Sequence, residues 1–154
     1  MKSVNKSVLI WYSPQQMFDL VADVPSYPQF LPWCDHAHVL QQHDDGLTGE
    51  VGIRLGALRQ SFTTRNTHVV EGDARKLVMD LVKGPFSNLH GVWTFTPVGG
   101  GTSDAQAMQA CKIELRLDYG FSNLALAAVV GPVFEKIAST MVDAFVKRAE
   151  QVYG

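Results

Sequence analysis

The chain has 154 residues, of which 46% are hydrophobic and 18% charged, and this composition is typical of one soluble globular domain with its own core. The net charge is −2 and the basic residues are scattered, so no groove for DNA or RNA is indicated. No apolar stretch is expected to reach membrane-span length, the start does not resemble a signal peptide, and two distant cysteines make no disulfide framework. We therefore expect a cytoplasmic protein.

The first two elements are predicted from local signals. Val4 to Trp11 alternates and is rich in β-formers, which predicts a strand. In the next segment Ser13 is a good N-cap, and Gln16 completes a capping-box pattern. Apolar residues follow at helical spacing and predict a short amphipathic helix that ends at Pro25. Residues 27–31 are expected to add one further turn.

From about Cys34 to Asp118 the apolar residues recur with a period of two, which predicts several strands. Turn signals at 44–46, 71–73, 83–86 and 98–102 separate these strands and indicate an antiparallel meander. The apolar faces are Leu47, Val51, Ile53 and Leu55; Phe62; Leu77, Met79 and Leu81; Leu89, Trp93 and Phe95; and Ala107, Cys111, Ile113, Leu115 and Leu117.

The last segment is predicted to be a long helix from just after Asn123 to about Val152. One face carries Phe134, Ile137, Ala138, Met141, Phe145, Ala149 and Val152. Gly131–Pro132 predicts a kink or break, because proline removes a backbone donor and clashes with the preceding turn. A sheet that is apolar on one face must be covered, and only this helix is large enough.

The fold class that follows is α+β: a helix-grip, in which a curved antiparallel sheet wraps round the long C-terminal helix as a single domain over residues 1–154. Such a layout encloses an apolar cavity unless large side chains fill it.

Three kinds of chemistry compete with a purely apolar interior. Cys34, His36 and His38 would share one face of a regular strand, and with His43 they suggest zinc, but such alternate side chains are about 7 Å apart, too far for zinc ligands. We therefore predict no metal site. A cysteine nucleophile would need a base such as His36 or His90, and nothing in the sequence fixes that geometry.

Acid–base catalysis would need ionisable groups that face the cavity. The candidates are Asp80, His90, Glu114 and Asp118, and all of them occupy the polar phase of their strands. We expect them to be solvated, and we therefore predict that the protein has no catalytic residue and is not an enzyme.

Four motifs resemble the coenzyme Q-binding START-domain family, which includes the bacterial RatA-type toxins and carries the label polyketide cyclase/dehydrase-like. They are YPQFLPWC at 27–34, GPFSNLHGVWTFTP at 84–97, LDYGFSN at 117–123, and F-x-x-R at Phe145 and Arg148. The resemblance covers nearly the whole chain. It implies a helix-grip fold and an apolar tunnel for a lipid such as ubiquinone, bound as a ligand in support of respiration rather than as a cofactor. RatA-type members are instead described as blocking the association of ribosomal subunits.

From these residues and this resemblance we predict non-enzymatic binding of a polyprenyl quinone or similar lipid, with the ribosome-directed toxin as the alternative and a cavity enzyme as the third possibility. The predicted lining is Met79, Trp93, Phe95, Ile113, Phe134, Ile137 and Met141. Tyr27, Phe30, Leu31, Pro32 and Trp33 are expected to form a flap whose exposed aromatics touch a membrane surface transiently. The expected partners are thus a quinone or lipid, the inner-membrane surface or a ribosomal subunit, and not DNA.

Overall fold

The fold is a single antiparallel sheet with two helices on its inner side. The computed structural model describes residues 2–98 and 110–154. Its seven strands have the spatial order β1-β7-β6-β5-β4-β3-β2. The strands are β1 (Lys2–Ile10), β2 (Cys34–His43), β3 (Gly46–Leu55), β4 (Leu58–Glu71), β5 (Ala74–Lys83), β6 (Phe86–Pro97) and β7 (Cys111–Phe121). The helices are α1 (Pro14–Ala22), a 3₁₀-helix (Val24–Gln29) and α2 (Leu124–Tyr153).

The short helix α1 begins as predicted. The backbone N–H of Gln16 donates to the Ser13 hydroxyl at 3.1 Å, and the Gln16 side chain accepts from the Ser13 N–H at 2.8 Å. This reciprocal pair is a capping box, which satisfies two backbone donors that helix geometry leaves free. The further turn expected at 27–31 is a 3₁₀-helix that starts earlier, at Val24, and contains Pro25 and Pro28.

The long helix α2 is continuous across Gly131–Pro132, so the predicted break is wrong. Pro132 leaves the carbonyl of Ala128 without its helical donor. Both residues are exposed, so water can hydrate that carbonyl and the helix tolerates the proline. The Asn123 side chain caps the start of α2 by accepting from the Leu126 N–H at 2.9 Å.

The helix α2 also corrects the expectation that no apolar stretch is long enough to span a membrane. An 18-residue window in it has a mean hydropathy of 1.5 and meets the length and composition of a span. However, α2 packs on the inner face of the sheet through its buried residues, as the core helix of a globular domain does. These are Val130, Phe134, Ile137, Ala138, Val142, Phe145 and Ala149.

The core divides into two buried clusters along the sheet. One cluster surrounds Phe134, whose ring centroid lies 4.8 Å from that of Tyr119 and 4.9 Å from that of Phe86. The other surrounds Trp93 and Phe145 at 5.3 Å, where α1 also packs. The candidate cavity lies on the inner face of the sheet and draws its lining from both clusters.

The alternation predicted for the last strand is confirmed from Cys111 onward, where alternate side chains are buried against α2. The predicted start at Ala107 and the glycine turn at 99–101 lie outside the described residues.

Candidate ligand-binding cavity

A small cavity of about 50 Å³ lies between the inner face of the sheet and α2. Ligand sites for drug-sized molecules are usually about 300–1,000 Å³, so side chains fill most of this space. The lining residues are Val24, Tyr27, Trp33, Gly49, Val51, Phe62, Thr64, Asn66, Met79, Leu89, Trp93, Leu115, Leu117, Phe134, Ile137 and Met141. Any larger ligand therefore requires the lining to move.

Seven of the residues predicted as ligand contacts meet at this cavity: Tyr27, Trp33, Met79, Trp93, Phe134, Ile137 and Met141. They come from the segment before β2, from two central strands and from α2. Met79 and Met141 are the adaptable members, because an unbranched thioether side chain changes rotamer at low cost. These two side chains offer a route by which the cavity can enlarge without a backbone change.

The prediction that Phe95 and Ile113 line the cavity is wrong. The two residues are register partners on β6 and β7, and both are almost completely buried in the cluster beside α1. The Phe95 ring stacks parallel to Trp93 with centroids 6.1 Å apart, and Phe18 of α1 meets its edge. The sheet periodicity placed both side chains on the correct face, but α1 covers them at that end.

The proposed flap is anchored rather than exposed, which corrects the expected membrane contact by its aromatics. Leu31 and Trp33 are 1% and 8% exposed. The Tyr27 hydroxyl donates to the Val21 carbonyl, and burial, then the charges of nearby acidic groups, raise the pKa of Tyr27. Phe30 is half-buried against Phe145 at 5.2 Å.

The F-x-x-R pattern has a visible structural role in holding this segment. The guanidinium of Arg148 lies 5.0 Å from the centre of the Phe30 ring, close enough for a cation–π contact. Its Nη2 also donates to the Gln29 side chain at 2.8 Å. Phe145 is buried one turn earlier, so the two residues of the pattern clamp the 3₁₀-helix onto α2.

Sequence reasoning missed the polar part of the cavity wall. Thr64 and Asn66 on β4 are 5% and 4% exposed, and the Thr64 hydroxyl donates to Asn66 Oδ1 at 2.7 Å. The available signal was their spacing, because positions 62, 64 and 66 have the same phase on a strand. The sequence pattern predicts Phe62 on the inner face, and its two polar neighbours in phase share that face.

Cys34 does not converge with the histidines of β2. A register shift between Cys34 and His36 turns Cys34 into the core, while His38 is exposed. His36 instead lies between Asp35 at 2.8 Å and Glu50 at 3.1 Å. The regular strand assumed for a zinc site is therefore interrupted by a bulge, which turns Cys34 away from the two histidines. The rings of His36 and His38 remain together and stack with centroids 5.4 Å apart.

Neither cysteine has the properties of a nucleophile. Burial, together with the nearby Asp35 carboxylate, raises the pKa of Cys34 to about 11. Burial alone raises the pKa of Cys111 to about 11. Both thiols are therefore protonated at neutral pH, whereas nucleophilic attack requires the thiolate.

The candidate acid–base groups lie outside the cavity, as their strand phase predicted. His90 Nδ1 and Asp80 Oδ1 form a pair at 2.6 Å in which both side chains are more than half exposed. Glu114 is exposed, and Asp118 is half-buried on the outer face. Among the described residues, those that line the cavity include no Asp, Glu, His, Lys or Arg. The cavity is an apolar space with one uncharged polar patch.

A curved antiparallel sheet closed by a long C-terminal helix defines the helix-grip class. The fold is similar to that of a START superfamily protein from Mycobacterium smegmatis, with a TM-score of 0.77 and 18% identity over 97% of this chain and 98% of that one. Residues 10–146 match the family described as polyketide cyclase / dehydrase and lipid transport. The chain belongs to this family.

Two relatives of the chain carry names that correspond to the two functions suggested by the sequence, a ribosome-directed toxin and a quinone-binding protein. The chain is 41% identical to a protein named ribosome association toxin RatA from Pseudomonas aeruginosa, over 98% of this chain and 97% of the relative. It is 26% identical to a protein named coenzyme Q-binding protein COQ10 homolog B, mitochondrial, from Xenopus laevis. That alignment covers 97% of this chain and 59% of the relative.

Proposed function

We propose that the protein is a ribosome-directed factor of the RatA type, which acts in the cytoplasm by binding a ribosomal subunit. The observation that carries this proposal is the 41% identity to a ribosome association toxin along almost the full length of both chains. By comparison, the identity to the coenzyme Q-binding relative is 26%. The alternative role raised by the sequence is therefore preferred to the quinone role.

A pair of like charges on the surface supports an anionic partner. Arg54 and Arg59 lie directly opposite each other on β3 and β4, although they are five positions apart in the sequence. Both are exposed, and within residues 2–98 and 110–154 neither forms an ion pair. Like charges directly opposite destabilise a strand pair. Phosphate groups of ribosomal RNA would neutralise both arginine charges. The sequence alone does not indicate this pair, because the two arginines are brought together only by strand pairing.

Co-sedimentation with purified ribosomal subunits tests this role. The purified protein is mixed with each subunit separately and centrifuged through a sucrose cushion at low and at moderate salt. We expect the protein to pellet with one subunit and to be released as the salt concentration rises. Absence of the protein from both pellets at low salt would contradict the proposal.

A second role, binding of an apolar ligand without catalysis, is supported by the apolar cavity. A hydrocarbon ligand gains about 0.8 kcal/mol per buried CH₂, which needs no charged anchor. The lining matches that requirement, since it is apolar except for Thr64, Asn66 and the polar atoms of its aromatic residues. Organic extraction of purified protein followed by mass spectrometry, together with titration of ubiquinone, tests this role. A co-purifying lipid or bound quinone is expected, and failure of both would contradict it.

A further inference from the structure

We propose that Asn66 recognises the carbonyl oxygen of an otherwise apolar, uncharged ligand inside the cavity. This inference rests on the second role above, binding of an apolar ligand, and assigns that ligand a chemical class. Asn66 is 4% exposed and lies on the inner face of β4, next to the apolar side chains of the cavity wall. A buried amide in such surroundings is costly unless its hydrogen-bonding groups find partners.

The hydrogen bonds of Asn66 define what the ligand must offer. Its Oδ1 already accepts the Thr64 hydroxyl proton at 2.7 Å. Its Nδ2 carries two N–H donors, and no hydrogen bond found among the described residues uses them. The amide therefore has two donors to give. The carbonyl oxygen of a ketone, quinone or ester accepts from such donors and brings no N–H or O–H of its own that the apolar wall would leave unpaired.

The neighbouring strand places apolar side chains beside this pair. Gly49 of β3 is the register partner of Thr64 and also lines the cavity. A Cβ added to Gly49 would lie 3.1 Å from Leu47 Cδ1 and 3.5 Å from Val24 Cγ1. The surroundings of Gly49 are therefore already packed with apolar atoms, and a larger residue there would crowd the cavity wall.

A second buried polar atom continues the polar face of β4. His68 lies two residues beyond Asn66 with its ring edge against Phe18 at 5.1 Å, and its Nε2 is buried without a hydrogen-bond partner among the described residues. Desolvation, followed by the charge of Arg65, lowers the pKa of His68 and favours the neutral ring. Thr64, Asn66 and His68 thus form an uncharged polar row. Since the lining offers no counter-charge, an ionised ligand is disfavoured.

Two matched probes measure the effect of one carbonyl group on binding. 2-Acetylnaphthalene and 2-ethylnaphthalene share a carbon skeleton, and the first has a C=O group where the second has CH₂. Each is titrated into ¹⁵N-labelled protein, and the side-chain amide signals of Asn66 are followed by NMR. We expect both probes to bind the cavity and the acetyl probe alone to shift the Asn66 Nδ2 signals strongly.

Substitution separates recognition from folding. Asn66→Leu is expected to weaken binding of the acetyl probe by about three- to tenfold. The affinity for the ethyl probe should stay equal or increase. If Asn66→Leu alone is unstable, the double variant Thr64→Val/Asn66→Leu replaces it. Because this variant removes both hydrogen-bonding partners, it leaves no buried polar group unsatisfied and should fold. Asn5→Leu, at an exposed amide on β1, is the control and is expected to change neither affinity.

The outcomes distinguish failure of carbonyl recognition from failure of the apolar-ligand role on which it rests. Equal losses for both probes in Asn66→Leu, or no loss for either, would overturn carbonyl recognition while leaving apolar binding in place. Failure of both probes to bind the unsubstituted protein would overturn carbonyl recognition and the apolar-ligand role together. The ribosome-directed role is measured separately and does not depend on either result.

Discussion

Met79 occupies the space that Gly91 leaves on the inner face of the sheet. The two residues are register partners on β5 and β6, and a Cβ built on Gly91 would lie 2.6 Å from Met79 Cε. It would also lie 3.0 Å from Leu117 Cδ1. The volume of the cavity therefore depends on where this flexible methionine rests, and Gly91 sets that position.

Gly91→Ala is expected to displace Met79 and to destabilise the protein by about 1–3 kcal/mol, as overpacking of a core does. It should also weaken binding of 2-ethylnaphthalene while leaving co-sedimentation with ribosomal subunits unchanged. Adding Met79→Ala removes the clash, so the double variant should lose less stability than the sum of the two single variants. Strict additivity in urea denaturation would contradict the Met79–Gly91 contact.

Gly131→Ala is expected to stabilise the protein by about 0.5–1 kcal/mol, because alanine loses less backbone entropy than glycine in a helix. The added Cβ would lie 3.7 Å from Phe121 Cε2, an ordinary contact. Gly56→Ala is the matched control, since Gly56 has φ +59° and no atom within 4 Å of its added Cβ. That change should destabilise by about 1–2 kcal/mol. If thermal unfolding shows that both substitutions stabilise, or that both destabilise, the helical conformation at Gly131 or the positive φ at Gly56 would be contradicted.

Replacing both arginines of the opposed pair, as Arg54→Gln/Arg59→Gln, is expected to weaken ribosomal subunit binding and to reduce its salt dependence. Folding stability should stay equal or rise slightly, because the repulsion across the hairpin is removed. Lys6→Gln/Lys147→Gln is the control, with the same loss of charge at two exposed positions on β1 and α2. Equal weakening by both double variants would show a general charge effect and would contradict a localised contact.

Stability is expected to fall between about pH 9 and pH 11, because the folded state holds two thiols protonated. The pKa values of Cys34 and Cys111 are raised to about 11 from an ordinary 9.0. Above pH 9 the unfolded chain releases these protons while the folded protein keeps them, so unfolding becomes more favourable as the pH rises. Cys34→Ala/Cys111→Ala should lower stability near neutral pH, where both thiols are protonated, and should flatten this slope. If urea denaturation shows the same pH dependence of stability in this variant, the raised pKa values of the two thiols would be contradicted.

Much of the fold followed from local chemistry, while the site depended on contacts that chain position does not reveal. The capping box at Ser13 and the alternation of β7 are encoded within a few residues, so both were predictable. Phe95 was placed on the correct face but outside the cavity, because α1 fills that end of the sheet. The bulge after Cys34 and the Arg54–Arg59 pairing arise from strand register, which periodicity alone does not determine.

Sucrose-gradient profiles of ribosomes after induced expression of the protein test its ribosome-directed function. Lysates of induced and uninduced cells are separated on sucrose gradients, and the protein is confirmed to be folded and present. We expect a loss of assembled ribosomes and a matching rise in free subunits. An unchanged profile at high expression, with respiration impaired instead, would contradict the ribosome-directed role and favour the quinone role.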